Sequence, residues 1–142
     1  MAFENPSREQ IKEILQNAGN IAVVGLSDKT DRTSYMVAQA MQSNGYRVIP
    51  VNPTVTGEIL GEKVYASLSD IPEPVDIVNV FRRSEQTPPV AEEAVKIGAR
   101  VLWLQQGIVS EEAYEIASQG GLTVIMDRCI KVEDSILIGK RS

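Results

Sequence analysis

The chain of 142 residues contains no histidine. That absence excludes Ser-His and Cys-His nucleophile pairs, histidine-ligated metal sites and a phosphohistidine intermediate carried by this chain. Cysteine is nearly absent too: Cys129 alone cannot close an internal disulfide, which suits a reducing compartment. No stretch approaches 18 consecutive apolar residues, and the opening Met1-Ala-Phe-Glu-Asn-Pro lacks the form of a signal peptide. The expectation is a soluble, cytoplasmic protein with no membrane partner. Basic charge is not in excess either. There are 14 Lys+Arg against 19 Asp+Glu, a net charge of −5, which argues against a general nucleic-acid binder. What is present is the makeup of a globular chain, 43 % hydrophobic and 23 % charged, at the length of one domain.

Polar punctuation divides the chain regularly. Residues 7–18 predict a helix, with Ser7 as N-cap, Gln10 three residues on, and Ile11, Ile14, Leu15 and Ala18 on one stripe. Strands are predicted over 21–25, 46–51, 76–80, 100–104 and 122–126. The four runs between the strands predict helices over 33–44, 89–97 and 110–118, and a short excursion near 59–66. Continuous apolar strands alternating with helices mean right-handed βαβ units. The expected fold is therefore α/β, a doubly wound three-layer sandwich around a five-stranded parallel sheet.

In such sheets ligands bind beyond the C-terminal strand ends. The loops there contain Lys29, Arg32, Arg82, Arg83 and Arg128, five of the fourteen basic residues, which fits a small anionic ligand. Gly25 either lets backbone approach a phosphate at the N-terminus of the next helix, or only allows tight helix–sheet packing. Ser27 adds a hydroxyl. Phe81-Arg82-Arg83 either stacks on a purine and grips phosphate, or is a solvated arginine pair beside a core phenylalanine. Arg32 serves the site equally well as it would pair with Asp28 or Asp31. A dinucleotide fingerprint needs three glycines, and only Gly25 is present. The acidic residue expected about 20 positions on is missing, with Asn52 at the end of the second strand. A phosphate site is supported; a standard NAD site is not. Cys129, beside Arg128 and Lys131, reads as a small buried thiol, its basic neighbours leaving a reactive one open. Glu92-Glu93 and Glu111-Glu112 read as solvated helix faces, and Trp103 as core.

Seven runs occur together and in order: Ala22-Val-Val-Gly-Leu-Ser-Asp28, Asp31-Arg-Thr-Ser34, Gly45-Tyr-Arg-Val-Ile-Pro-Val-Asn-Pro53, Ile59-Leu-Gly-Glu62, Val80-Phe-Arg-Arg83, Leu102-Trp-Leu-Gln105 and Met126-Asp-Arg-Cys-Ile-Lys-Val-Glu133. In this set the chain resembles the small stand-alone CoA-binding domain proteins, relatives of the CoA-binding domain of the succinyl-CoA synthetase alpha subunit. The resemblance covers residues 7–133. It implies a single Rossmann-like domain over 1–142, with the N-terminal helix (1–19) packed on it, binding CoA or an acyl-CoA without catalysis. By that resemblance Gly25, Leu26 and Ser27 lie against the phosphates, with Arg32 and Ser34 supplying charge and hydroxyl. Asn52 and Pro53 border the adenosine, Phe81, Arg82 and Arg83 flank the adenine and phosphate end, and Gln105 and Gly107 lie toward the pantetheine.

Two positions depart from the pattern. Thr54-Val55 stand where the synthetase subunit has a lysine, and Asp134 follows Glu133 where the stand-alone proteins often have histidine. Two alternatives remain at this level. One is a non-catalytic partner of an acyl-CoA synthetase, whose phosphohistidine would lie on another domain. The other is a regulatory module for an NADP-type nucleotide, with Arg82 and Arg83 at the 2′-phosphate.

Overall fold

The structure is a computed structural model and describes residues 3–141. Helix α1 (Arg8–Asn17) leads into β1 (Asn20–Val24), α2 (Thr33–Ser43) and β2 (Arg47–Val51). A small hairpin follows, β3 (Glu58–Ile59) and β4 (Glu62–Lys63). Then come β5 (Ile77–Val80), α3 (Thr87–Lys96), β6 (Val101–Leu104), α4 (Glu111–Gln119), β7 (Thr123–Ile125) and α5 (Ile130–Leu137). Five strands form one parallel sheet in the order β2-β1-β5-β6-β7. Winding reverses between β1 and β5, so the crevice for a ligand opens there. The expected doubly wound sheet is the observed one.

Local chemistry explains most boundaries. At α1 the Ser7 hydroxyl accepts from the Gln10 N–H at 3.2 Å, while the Gln10 side-chain oxygen accepts from the Ser7 N–H at 2.9 Å. This is the reciprocal cap that the spacing predicted. Helix α3 begins at Thr87, two residues before the expected Pro89, because prolines are tolerated in a first turn whose N–H groups have no helical partner. The hairpin turn places Leu60 (φ 56°) and Gly61 (φ 76°) both in the left-handed region, as a two-residue turn matched to strand twist requires.

The sheet is covered on both faces, which is why its strands read as continuous apolar runs. Ile21 and Val23 of β1 face α1, α2 and α5, where Ile11, Leu15, Val37, Met41 and Ile130 close the core. Ala22 and Val24 face α3 and α4, which approach through Ala91, Ala94, Ala113 and Ala117. Trp103 is fully buried, as expected, and its indole N–H donates to the Arg128 carbonyl at 2.9 Å.

Two features differ from the sequence-based expectations. Helix α5 has no counterpart among the predicted elements: its N-cap, Cys129, makes no side-chain cap bond, so the usual start signal is missing. Glu93 is not a solvated residue. Its carboxylate accepts from the Leu68 N–H at 2.9 Å and the Ser69 hydroxyl at 3.3 Å, fixing the short 3₁₀ turn Leu68–Asp70 against α3. Glu92, Glu111 and Glu112 are exposed.

At the sheet end opposite the crevice, the buried Tyr46 hydroxyl donates to Asp134 at 2.6 Å and accepts from the Arg141 guanidinium at 3.2 Å. Burial, followed by the Asp134 carboxylate, raises the Tyr46 pKa above the ordinary phenol value; Arg141 works in the opposite direction. A phenol whose pKa is raised by folding stabilises the protein fully below about pH 10, and that contribution is lost as pH climbs further. Urea unfolding of the parent should therefore weaken above about pH 10. In Tyr46→Phe the alkaline decline should be shallower, and an equal decline in both proteins would contradict this origin.

Candidate functional site

The site forms where the loops after β1 and β5 meet. Gly25 continues β1 by donating its N–H to the Val51 carbonyl at 2.8 Å, and Phe81 continues β5 by donating to the Val24 carbonyl at 2.8 Å. Gly25 has φ +86°, and a Cβ built on it would fall 2.4 Å from the Phe81 carbonyl oxygen. The glycine is therefore needed for the two loops to touch across the winding reversal. That contact is a third reason for glycine here, beside the helix–sheet packing and the ligand approach that the sequence suggests. The same contact brings the Arg82 Nε to 3.4 Å from that Cβ position, so the guanidinium lies beside Gly25.

The β1–α2 loop is tied internally. The Ser27 N–H donates to the Ser34 hydroxyl at 3.0 Å, and the Lys29 N–H donates to the Ser27 hydroxyl at 3.0 Å. Ser34 is buried, so it shapes the loop, while Leu26 is fully buried beneath it. Arg32 is the N-cap of α2 but makes no side-chain cap bond, and among the described residues the first N–H groups of that helix have no side-chain partner. Such an end attracts anions through its donors and its dipole.

Asn52 clamps two loops. Its amide donates to the Leu26 carbonyl at 3.0 Å, and its oxygen accepts from the Thr54 N–H (2.9 Å) and hydroxyl (2.8 Å). Pro53 is exposed next to it. Phe81 is half-buried and packs on the core beneath α1, α2 and α5, with Arg82 half-buried and Arg83 exposed.

Gln105 is buried rather than open to solvent. Its side-chain oxygen accepts from the Asn79 amide at 3.2 Å and from the Ile130 N–H at 3.3 Å, joining β5, β6 and the first turn of α5. Gly107 is exposed with φ +86° and open space around its Cβ position, and its N–H donates to Asp127 at 2.7 Å. Cys129 is partly buried against the core. Asn79 was not singled out from the sequence; an asparagine in an otherwise apolar strand was its available signal.

Charge decides what this crevice suits. Among the described residues, none of Lys29, Arg32, Arg82, Arg83 and Arg128 makes an ion pair, although the chain is net acidic. The pairing of Arg32 with Asp28 or Asp31 considered above does not form. Unpaired guanidiniums next to an uncapped helix start match phosphate oxygens in charge and in donor geometry. The donor set thus fits the phosphate groups of a nucleotide-type ligand. Among the described residues no cluster of three or more His, Cys, Asp or Glu side chains could hold a metal ion, and no helix is long and apolar enough to cross a membrane.

The fold is that of a Rossmann-like α/β domain, with unpaired basic side chains in the loops beyond its strand ends among the described residues. A family model described as CoA binding domain matches residues 19–135, and the chain belongs to that CoA-binding domain family. An uncharacterized Bacillus subtilis protein, YneT, is 59 % identical over 134 residues, covering 94 % of this chain and 98 % of that one. The alpha subunit of an ADP-forming acetate–CoA ligase from Pyrococcus furiosus is 31 % identical over 115 residues, covering 76 % of this chain. The match spans only 24 % of that subunit's own length. A solved structure of a hypothetical protein from Pyrococcus horikoshii superposes with a TM-score of 0.91 at 36 % identity, over 98 % of this chain and 100 % of that one.

Proposed function

We propose that the crevice between the β1 and β5 ends binds CoA or an acyl-CoA, and that the chain is a holder rather than a catalyst. One observation carries the reading: the half-buried Arg82 side chain lies beside Gly25 at the winding reversal and makes no ion pair among the described residues. Membership of the CoA-binding domain family supports CoA as the ligand. Arg82, Arg83 and Arg32 would hold phosphates, with Gly25, Leu26 and Ser27 presenting backbone to them and Ser34 fixing that loop. Asn52, Pro53 and Phe81 would border the adenosine. Gly107 and the loop held by Gln105 would face the pantetheine arm. When bound, CoA supplies a thiol that carries acyl groups as thioesters. This chain contributes the cradle and holds no histidine to accept phosphate.

Thermal unfolding with CoA, dephospho-CoA, NADP and NAD tests the reading. At about 100 times its dissociation constant CoA should stabilise the protein by roughly 2.7 kcal/mol. A shift with NADP and none with CoA would move the site to the alternative nucleotide.

The match to part of a ligase subunit favours one further reading, a non-catalytic partner of an acyl-CoA synthetase. It predicts that CoA bound here is handed to a separate ligase subunit. Unchanged kinetics of such a ligase on adding this protein would remove that reading while leaving CoA binding intact.

A further inference from the structure

Exposed charge is spread unevenly over the helices. Helix α1 presents Glu9 and Glu13, α3 presents Glu92, and α4 presents Glu111, Glu112 and Glu115. Helices α2 and α5, which pack side by side, present no carboxylate. Helix α2 has no charged residue over Thr33–Ser43. Helix α5 has two acids, Glu133 and Asp134, but both are buried, at 6 % and 4 % exposure. Asp134 is turned inward, accepting from the Tyr46 hydroxyl at 2.6 Å and from the Asn44 amide at 2.7 Å. The exposed charges on α5 and the residues after it are Lys131, Lys140 and Arg141, all basic. None of the three makes an ion pair among the described residues. A chain of net charge −5 thus keeps one helical face clear of exposed acid.

The same face holds most of the exposed apolar side chains. Four large ones are exposed among the described residues, and three of them are Met36, Val132 and Ile136. Val132 and Ile136 stand one turn apart on α5, each about half exposed. Between the two helices lies a groove of about 320 Å³. Ala40 and Met41 of α2 wall it on one side, Lys131 and Ser135 of α5 on the other, with Gly139 and Lys140 beyond. Met36 stands one turn before Ala40, on the same flank of α2. Single exposed apolar residues are ordinary; three around one groove, bordered by charge of one sign, make a docking surface.

We propose that the groove between α2 and α5 docks an amphipathic helix of a partner protein, apolar on one face and flanked by Asp or Glu. The apolar face enters the groove and covers Met36, Val132 and Ile136, a helix-in-groove mode of recognition. Its acidic flanks meet Lys131 and Lys140, whose charge rejects a basic partner. A second copy of this chain is a poor occupant, because the face paired with itself sets lysine against lysine. The proposal is independent of CoA binding, since none of these residues belongs to the crevice at the β1 and β5 ends.

The probe is the peptide acetyl-Glu-Leu-Leu-Glu-Ala-Leu-Glu-Glu-Leu-Leu-Glu-Ala-Leu-amide, titrated into the full-length protein without CoA while amide resonances are followed. Expected are saturable shifts concentrated in α2 and α5. Lys131→Glu with Lys140→Glu should weaken binding at least tenfold, and so should Val132→Ser with Ile136→Ser. All four positions are exposed, so melting curves should match the parent's. The analogue with lysine in place of every glutamate should not bind. Equal binding by that analogue, unchanged affinity in either double variant, shifts that miss both helices, or no binding at millimolar peptide would overturn the proposal. So would dimerisation of the free protein that Val132→Ser with Ile136→Ser abolishes, since a second copy would then be the occupant. Cosedimentation with phosphatidylserine–phosphatidylcholine vesicles, lost in the same variant, would assign the face to a membrane and overturn it equally.

Discussion

Replacing Arg82 and Arg83 together with alanine should reduce CoA affinity by a factor of a hundred or more and leave the ligand-free protein folded. Charge-assisted hydrogen bonds contribute about 1.5–3 kcal/mol each, so losing two corresponds to about 3–6 kcal/mol of binding free energy. Neither arginine makes an ion pair among the described residues, and Arg83 is exposed, so little native structure depends on them. Calorimetric titration of the double variant against the parent, beside a melting curve of each, separates the two effects. Unchanged affinity would remove the phosphate role of this pair. Because Arg82 is closer to Gly25, Arg82→Ala alone should account for the larger share.

The largest effect on stability is expected at Gly25. Gly25→Val would put a branched side chain at φ +86° and drive its Cβ to 2.4 Å from the Phe81 carbonyl oxygen, a backbone atom that cannot rotate away. A bulky residue in the left-handed region costs about 1–3 kcal/mol, and overpacking adds about as much again. A native protein has only roughly 5–15 kcal/mol to lose. The variant should melt well below the parent, by about 10 °C or more, or fail to accumulate in soluble form. Gly107→Val is the matched control. Its φ is also +86°, but nothing lies within 4 Å of the added carbon, so only the conformational strain remains. Equal losses at the two positions would mean that the contact with Phe81 is not what requires glycine.

The alternation of apolar runs with capped helices made the architecture legible, because a sheet buried on both faces must present continuous apolar strands. The Ser7–Gln10 cap and the Trp103 core position were likewise readable from spacing and composition. Helix α5 was not, since Cys129 gives no cap signal and the helix is held by packing of Ile130 and by Asp134 beneath Tyr46. Of the candidate site, the sequence placed its residues at the strand ends, because position after a parallel strand fixes the sheet edge. It did not show what each side chain is already committed to. Asn52 bridges the loops at Leu26 and Thr54, Ser34 holds Ser27, and Gln105 is turned inward to Asn79 and Ile130. The contacts of Asn52 with Leu26 and of Gln105 with Asn79 and Ile130 join segments 25 or 26 residues apart, which no local pattern encodes. Glu93 shows the same limit, as its partners Leu68 and Ser69 lie 25 and 24 residues earlier in the chain.

CoA binding at the reversal between β1 and β5 is tested most directly by an amide NMR titration of the intact protein with CoA. Binding at this site predicts saturable shifts confined mainly to Gly25–Ser34, Phe81–Ser84 and the loop at Gly107, with little movement along α1 or β7. Resonances of Gly25–Ser34 that stay in place at millimolar CoA, or that move with NADP and not with CoA, would contradict it.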